Sequence, residues 1–419
     1  MRYRRLTQRR LCLIAGLSLL FIISYEGGLF VHLFELGITT FNYPLMVNNL
    51  QEIIDSHLNG GDPNSLAFKG QSVKPINGYN FSFLIANEDK CRSLGNGGDG
   101  DDTAGEDDDG EGGYGNNGET ENGNPEAING LINKDNRLKR TKSIYEKITL
   151  VFMIKSALGN RDSRDAIRQT WGREDRFSDV PLRRIFVVGN CEGSATPESA
   201  DECDKLIGNE SREFGDLVQA DFIDTYFNNT IKTMMAMKWV VTNCPRTSFV
   251  LFVDDDFYIS PRNLLRFVRR PFYDPDDLES RHSIPSRFIP KDGRLYAGFV
   301  FGKSAPMRHK LSKWYISLED YPYARYPPYV TAGAFVLSIR TVKEMYYASL
   351  YTKHFKFDDI YVGILAKKLN LEPFHNKNFH YWRKSYDPLG YGRVIASHGF
   401  NDQSELIKVF LEQKSLGHA

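Results

Sequence analysis

Residues Phe249–Phe257 read FVLFVDDDF, an apolar run rich in Val and Phe that ends on Asp254, Asp255 and Asp256. A run of that length and composition reads as a strand buried on both faces, the kind found inside a helix-covered parallel sheet. Three adjacent carboxylates at its carboxyl end repel one another, and ordinary packing does not call for them. In open α/β sheets ligands bind at the carboxyl ends of the strands, and a divalent cation offsets such repulsion. The triplet therefore reads as a metal site that holds a phosphorylated ligand, with an acidic turn after a strand as the plainer alternative.

The amino terminus says where such a sheet stands in the cell. Arg2, Arg4, Arg5, Arg9 and Arg10 precede an apolar stretch, Leu11–Tyr25, which continues more weakly through Leu29–Leu36. Its core is close to the length of a signal-peptide segment, but no small-residue cleavage site follows it cleanly, and the aromatic-rich continuation can lengthen it across a thin bilayer. Clustered arginines ahead of the span favour a cytoplasmic amino terminus and a translocated remainder. The expectation is a signal anchor over 11–34 with a cytoplasmic tail at 1–10; cleaved secretion is the alternative. Lys+Arg and Asp+Glu balance at 53 each, which points to no nucleic-acid partner.

A translocated chain agrees with two further features. Asn80, Asn209 and Asn228 open Asn-x-Ser/Thr sequons, acceptors for N-glycosylation in the secretory pathway. Cys91, Cys191, Cys203 and Cys244 lie beyond the span, an even number that suits disulfides in an oxidising lumen. Four cysteines allow three pairings, of which Cys191 with Cys203, closing a short loop, is the first choice. Cys/His zinc spacing is absent.

Composition divides the rest. The tract 95–124 is almost wholly Gly, Asn, Asp and Glu; it cannot bury enough apolar surface to offset its ordering entropy and is expected to be disordered. A luminal stem at 35–142 and a catalytic domain at 143–419 follow from that break. Within the head, Lys147–Ile154, Arg184–Gly189 and Leu217–Phe222 read as strands, and Arg164–Trp171 begins a helix. Asn228–Cys244 carries Ile231, Met234, Met235 and Trp239 near helical spacing, a stripe that reads as core. Strand and helix alternate, so the fold class is α/β with a parallel, nucleotide-binding type of sheet. After residue 290 the pattern is less regular, with Tyr, Pro and Trp abundant.

Four more pieces surround the triplet. Lys155–Gly172 follows the first strand and holds Arg164 and Arg168, four apart on one helical face. Guanidinium groups there suit a phosphate or a uracil edge; solvated helix charge is the alternative. Tyr326–Ser338, YPPYVTAGAFVLS, joins an aromatic–Pro turn to small residues that let a ligand approach the backbone. Lys356–Gly363 sets Asp358 and Asp359 at the start of an apolar helical run, where a carboxylate serves as a cap or as a general base. His398 lies in the late segment VIASHGF, an isolated histidine that by itself reads as structural.

In this order, the motifs RDAIRQTWG, FIDTYFNNTIKT, FVLFVDDDFYI, KWYISLEDYPYARYPPYVTAGAFVLS and FDDIYVG resemble the β1,3-glycosyltransferase family, which includes β1,3-galactosyltransferases, β1,3-N-acetylglucosaminyltransferases and, more distantly, the Fringe enzymes. The resemblance spans about Ile144–Phe400. It implies a type II Golgi membrane enzyme of GT-A fold, with a Rossmann-like sheet and an attached acceptor-binding region. It also implies a UDP-sugar donor, Mn²⁺ and a glycan acceptor on a glycolipid or glycoprotein. By resemblance Asp256 is the direct metal ligand, Asp254 joins the metal shell nearer the nucleotide, and His398 completes it. Arg164, Arg168, Asp254 and Asp255 stand at the nucleotide-sugar, and Asp359 is the base, with Asp358 as the alternative. Trp314, Tyr326 and Tyr329 are offered for stacking on the acceptor sugar, with core packing as their other reading.

The chain departs from the galactosyltransferase pattern at Val330, where a cysteine is common, and at Ala332 and Ala334, where glycines are common. Those changes bear on the sugar and on one family disulfide. Galactose is the expected sugar, with N-acetylglucosamine and N-acetylgalactosamine as neighbours. A membrane-anchored chaperone on the same fold has no need of DDD with Asp359, and a metal-dependent phosphohydrolase does not explain the anchor or the YPPY segment.

Overall fold

The computed structural model describes residues 12–21, 24, 30–42, 50–60, 67–68, 71–72, 74–94, 148–193, 196–269 and 292–419. The cytoplasmic tail, the 95–124 tract and the expected start of the head near Ser143 lie outside them. Residues 12–21 are helical, and among the described residues no helix is long and apolar enough to cross a membrane.

An eight-stranded mixed sheet carries the fold. Its strands are β1 (Phe83–Ile85), β2 (Leu150–Lys155), β3 (Leu182–Asn190), β4 (Leu217–Ile223), β5 (Phe249–Asp254), β7 (Tyr296–Phe301), β8 (Tyr329–Ser338) and β9 (Phe374–His375). They lie in the order β9-β7-β8-β5-β2-β3-β4-β1. The centre, β5-β2-β3-β4, is parallel; β8 joins β5 antiparallel, and β1 joins β4 antiparallel. The α/β expectation holds, and antiparallel strands extend the parallel core on both sides.

The central strands are apolar on both faces because both faces are covered. Val151 and Met153 of β2 pack with helices α1 (Leu50–Leu58), α4 (Asn229–Asn243), α6 (Ile339–Leu350) and α7 (Asp358–Lys368). Leu150, Phe152 and Ile154 pack with α2 (Arg161–Gln169), α5 (Pro261–Arg269) and α8 (Gln403–Ser415) on the other face. The period-two alternation of a strand divides one run into two cores. The stripe expected on α4 is core: Met234, Met235 and Trp239 are fully buried. Helix α3 (Pro197–Phe214) starts on a Thr196 capping box and stops at Gly215, whose φ of 59° is the left-handed conformation glycine tolerates best.

Two results correct the reading of 35–142 as a stem separate from the head. Residues 83–85 form the edge strand β1, and Cys91 bonds Cys244 at the end of α4. Residues 74–94 therefore belong to the folded head, as does α1 through its contacts with α6. The second disulfide is Cys191–Cys203, the pair chosen from loop length.

A small second sheet positions the site. Strands β6 (Tyr258–Ile259), β10 (Phe379–His380) and β11 (Ala396–Ser397) form it in the order β10-β11-β6, with Ser397 opposite Tyr258. That register carries the residues after β11 back to the turn that follows β5.

Candidate active site

The parallel register sets Lys155 at the end of β2 beside Asp254 at the end of β5. Lys155 Nζ lies 3.0 Å from Asp254 Oδ1 and 2.8 Å from Asp358 Oδ2, and donates at 3.3 Å to the carbonyl of Ala332. A buried ammonium is stable only when paired; here two carboxylates from distant segments hold it, and together they outweigh the burial that opposes its charge. Asp358 also accepts from Thr233 Oγ1 at 3.1 Å. Lys155 thus fastens the amino end of α7 to the carboxyl end of the sheet.

The three aspartates of the triplet point to three places. Asp254 faces a cleft, and desolvation there pushes its carboxyl up to about 6, with Lys155 opposing and the charges of Asp256 and Asp358 adding. Asp255 is buried and turns inward, accepting from Ser156 Oγ at 2.6 Å and Asn160 Nδ2 at 3.0 Å. It secures the turn after β2 and does not line the cleft. Asp256 Oδ2 lies 3.0 Å from His398 Nε2, and the Asp256 carbonyl accepts from the backbone N–H groups of Gly399 and Phe400. His398 is raised above its usual range chiefly by that hydrogen bond.

Arg164 and Arg168 are buried, and neither lines the cleft. Arg164 donates twice to Glu210 at 2.7 Å, and also to Ser156 Oγ and the carbonyls of Ala157 and Leu158. All five of its N–H groups are committed. Arg168 is held by Asp216, Glu210 and Asp165, with its guanidinium 3.9 Å above the Phe214 ring. Solvated helix charge gives way to a buried ion network. Its reach to the site is indirect: Arg164 holds Ser156, whose hydroxyl donates to Asp255.

A cleft of about 370 Å³ runs between the sheet end and α7. It is lined by Asp254 and Lys155 on one side and Asp358 and Asp359 on another, with Trp314, Tyr326 and Tyr329 on the outer wall. Helix α7 begins at Asp358, so the two carboxylates stand at the positive end of its dipole. Gly363 brings α7 against β8: a Cβ there would fall 2.4 Å from the Cβ of Tyr329. Asp359 accepts from the Ile360 N–H at 2.8 Å. Burial first, and the charge of Asp358 second, push it up to about 7. Two neighbouring aspartates are thus split into an ion-paired anchor and a proton acceptor poised near neutrality, the arrangement general-base chemistry uses.

The aromatic residues divide as well. Tyr326 and Tyr329 are buried yet line the cleft, and Tyr329 bonds Ser304 Oγ at 3.2 Å. Trp314 is 49% exposed at the rim, with Lys313 Nζ 4.5 Å from its ring centre. Stacking surface and core are therefore compatible readings of the two tyrosines. Of the sequon asparagines, Asn80 and Asn209 are exposed, and Asn228 is half-buried with its amide donating to the Ile223 carbonyl. Lys155 carried no assignment in the sequence; the one available signal was a lysine ending an otherwise apolar strand.

Among the described residues no group of three His, Cys, Asp or Glu side chains converges as a ready metal cage. The Asp256–His398 pair does come together, and Asp256 Oδ1 is buried without a hydrogen-bond partner. A carboxylate oxygen left without a donor beside an imidazole is a donor set that suits a borderline divalent ion. Asp254 stands apart from that pair in its ion pair with Lys155.

The site is a sheet-end cleft with one acidic group at the end of β5 and another at the amino terminus of α7 in an α/β protein. The family model described as Galactosyltransferase matches residues 162–377. The chain is 45% identical over 271 residues to the Drosophila melanogaster protein named beta-1,3-galactosyltransferase brn, covering 64% of this chain and 76% of that one. It is 30% identical over 295 residues to mouse (Mus musculus) beta-1,3-galactosyltransferase 1, covering 70% and 81%. The chain belongs to the galactosyltransferase family of glycosyltransferases. Among solved structures, the galactosyltransferase LgtC with donor and acceptor sugar analogues aligns at 12% identity and a TM-score of 0.29, covering 65% of this chain and all of that one.

Proposed function

We propose that this protein transfers a sugar, galactose first, from a UDP-sugar to a 3-hydroxyl of a glycan in β1,3 linkage with inversion. The observation that carries the reading is the single cleft holding Asp254, Asp359 and the aromatic wall together. The names of the relatives support galactose and the linkage. Ala332, at a position where the family commonly has glycine, lines the same cleft, and keeps UDP-N-acetylglucosamine and UDP-N-acetylgalactosamine as the donors to test against it.

The chemistry is one displacement. An α-linked donor becomes a β-glycoside when the acceptor oxygen attacks the anomeric carbon from the face opposite the diphosphate. The new C–O bond forms as the bond to the phosphate oxygen breaks, and its electron pair leaves with UDP. Asp359 takes the hydroxyl proton, a role its pKa near neutrality suits. Asp358 and Lys155 hold Asp359's helix in place, and Trp314, Tyr326 and Tyr329 offer ring faces to the acceptor sugar. Asp256 and His398 would hold Mn²⁺, which when bound supplies Lewis-acid stabilisation of the diphosphate charge. We place the protein in the Golgi membrane through residues 11–34, with the cleft in the lumen and the acceptor on a glycolipid or glycoprotein.

The test is transfer by the full chain in detergent from UDP-galactose, UDP-N-acetylglucosamine, UDP-N-acetylgalactosamine and UDP-glucose, with Mn²⁺ or EDTA, and linkage by NMR. Turnover of UDP-galactose to a β1,3 product, lost in EDTA, is the expected result. Metal-independent turnover removes Mn²⁺ from the account, and no turnover by a folded, UDP-binding protein overturns the reading.

A further inference from the structure

The outer wall of the cleft is the irregular segment 302–328, which contributes Ser304, Ala305, Met307, Trp314 and Tyr326. An irregular segment of this length has little ladder hydrogen bonding to fix it, and its order here comes from Arg308. That side chain is 2% exposed. It donates to the carbonyls of Ile316, Ser317, Tyr321 and Tyr323, drawing the segment around itself. Its fifth N–H goes outside the wall, to Glu35 Oε1 at 2.7 Å, and Glu35 is itself 6% exposed.

Glu35 does not act alone. Leu36 N–H donates to the Pro322 carbonyl at 2.8 Å, and the Ala324 N–H returns a bond to Leu36 at 2.9 Å. Asn42 N–H donates to Tyr323 Oη at 2.6 Å, and the Phe41 ring lies 5.0 Å from that of Tyr323. From there the packing leads inward: Tyr321 meets Tyr323 at 5.3 Å and Tyr326 at 4.9 Å, and Tyr326 faces the cleft. A buried guanidinium that loses its carboxylate is an uncompensated charge, and it reorganises its surroundings to reach water.

We infer that residues 35–42 are a strap that holds the acceptor wall of the cleft, with Glu35 as a positioning residue acting through Arg308. The inference rests on the glycosyl-transfer reading for its functional half. It makes a segment directly after the amino-terminal apolar stretch part of acceptor binding, although it lies more than 260 residues from the wall in sequence.

The experiment compares the full chain with Glu35→Gln, Glu35→Asp and Tyr323→Phe. Hydrogen–deuterium exchange of residues 302–328 and the separate KM values for acceptor and donor are the readouts. Glu35→Gln is expected to speed exchange in 308–323 and raise the acceptor KM by about tenfold, equivalent to about 1.4 kcal/mol. The donor KM and UDP affinity should stay within about twofold of wild type on that scale. Glu35→Asp should recover part of the loss, and Tyr323→Phe, which keeps the ring but removes the acceptor for Asn42, should move the same way by less. Unchanged exchange in Glu35→Gln overturns the strap, whatever the protein transfers. Faster exchange with an unmoved acceptor KM, or with donor and acceptor affinities falling together, overturns the positioning role. Wild type that transfers no sugar would overturn the functional reading instead, leaving the exchange result to decide the strap.

Discussion

The two walls of the cleft are built by opposite means. The side proposed for the donor is the end of a parallel sheet, where Lys155 and Asp254 stand in register, and beside it a second sheet brings His398 to Asp256 in the turn beyond β5. The acceptor side is an irregular segment gathered around one arginine and tied to a distant strand of chain. A group that must meet a phosphate at one fixed distance belongs on a rigid element. A wall that must suit a particular glycan can be rebuilt by loop changes without touching the sheet.

Substitutions can break that division in order of expected effect. On the donor side, Asp256→Ala should abolish Mn²⁺-dependent UDP binding in calorimetry while thermal stability holds, because among the described residues its side chain pairs with His398 alone. Unchanged UDP affinity would remove Asp256 from the donor site. Behind that wall, Arg164→Ala should destabilise the fold by about 3–5 kcal/mol in denaturant unfolding, the cost of breaking a buried ion network that leaves Glu210 with Arg168 as its remaining cation. A loss near the ~0.2–1 kcal/mol of exposed pairs would mean the network is not stabilising as drawn. On the acceptor side, Trp314→Ala should leave stability and UDP affinity alone and raise the acceptor KM by about tenfold, within the ~1–3 kcal/mol of one lost pocket contact. An unchanged KM would make Trp314 mere rim.

Titration distinguishes the walls more gently. Asp359 acts as a base only when ionised, so transfer should fall as pH drops through about 7, its raised value. The stability sign is the reverse. A carboxyl whose folded pKa is raised holds its proton better in the folded state, and that contribution is lost as pH rises towards 7. Asp359→Asn should therefore melt higher than wild type at pH 8 and show little difference at pH 4. A rate limb near the usual carboxylate range in wild type would move the base to another group.

Much of the donor side was legible in the sequence, because buried parallel strands announce themselves as unbroken apolar runs and DDD stands out against one. The same signal does not reach the surroundings of Asp255 or of the arginines. Residue type and spacing show that a charge is present, whereas only three-dimensional partners show that Ser156 and Asn160 claim Asp255 and that Glu210 and Asp216 claim Arg164 and Arg168. The acceptor wall was legible only as a collection of aromatics. Its order comes from carbonyls accepting from Arg308 and from Glu35, pairings that no periodicity encodes. Strand β1 escaped for a similar reason: three residues at a sheet edge carry almost no alternation, and its place is secured by the Cys91–Cys244 bond nearby.

In the proposed reaction Asp359, rather than its ion-paired neighbour, removes the acceptor proton. That role is tested most directly by the transfer rate of Asp359→Asn under conditions where wild type turns over, with UDP affinity measured on the same preparation. The rate should fall on the order of a thousandfold or more with UDP affinity unchanged. A rate within about tenfold of wild type, less than general-base removal ordinarily costs, would contradict it.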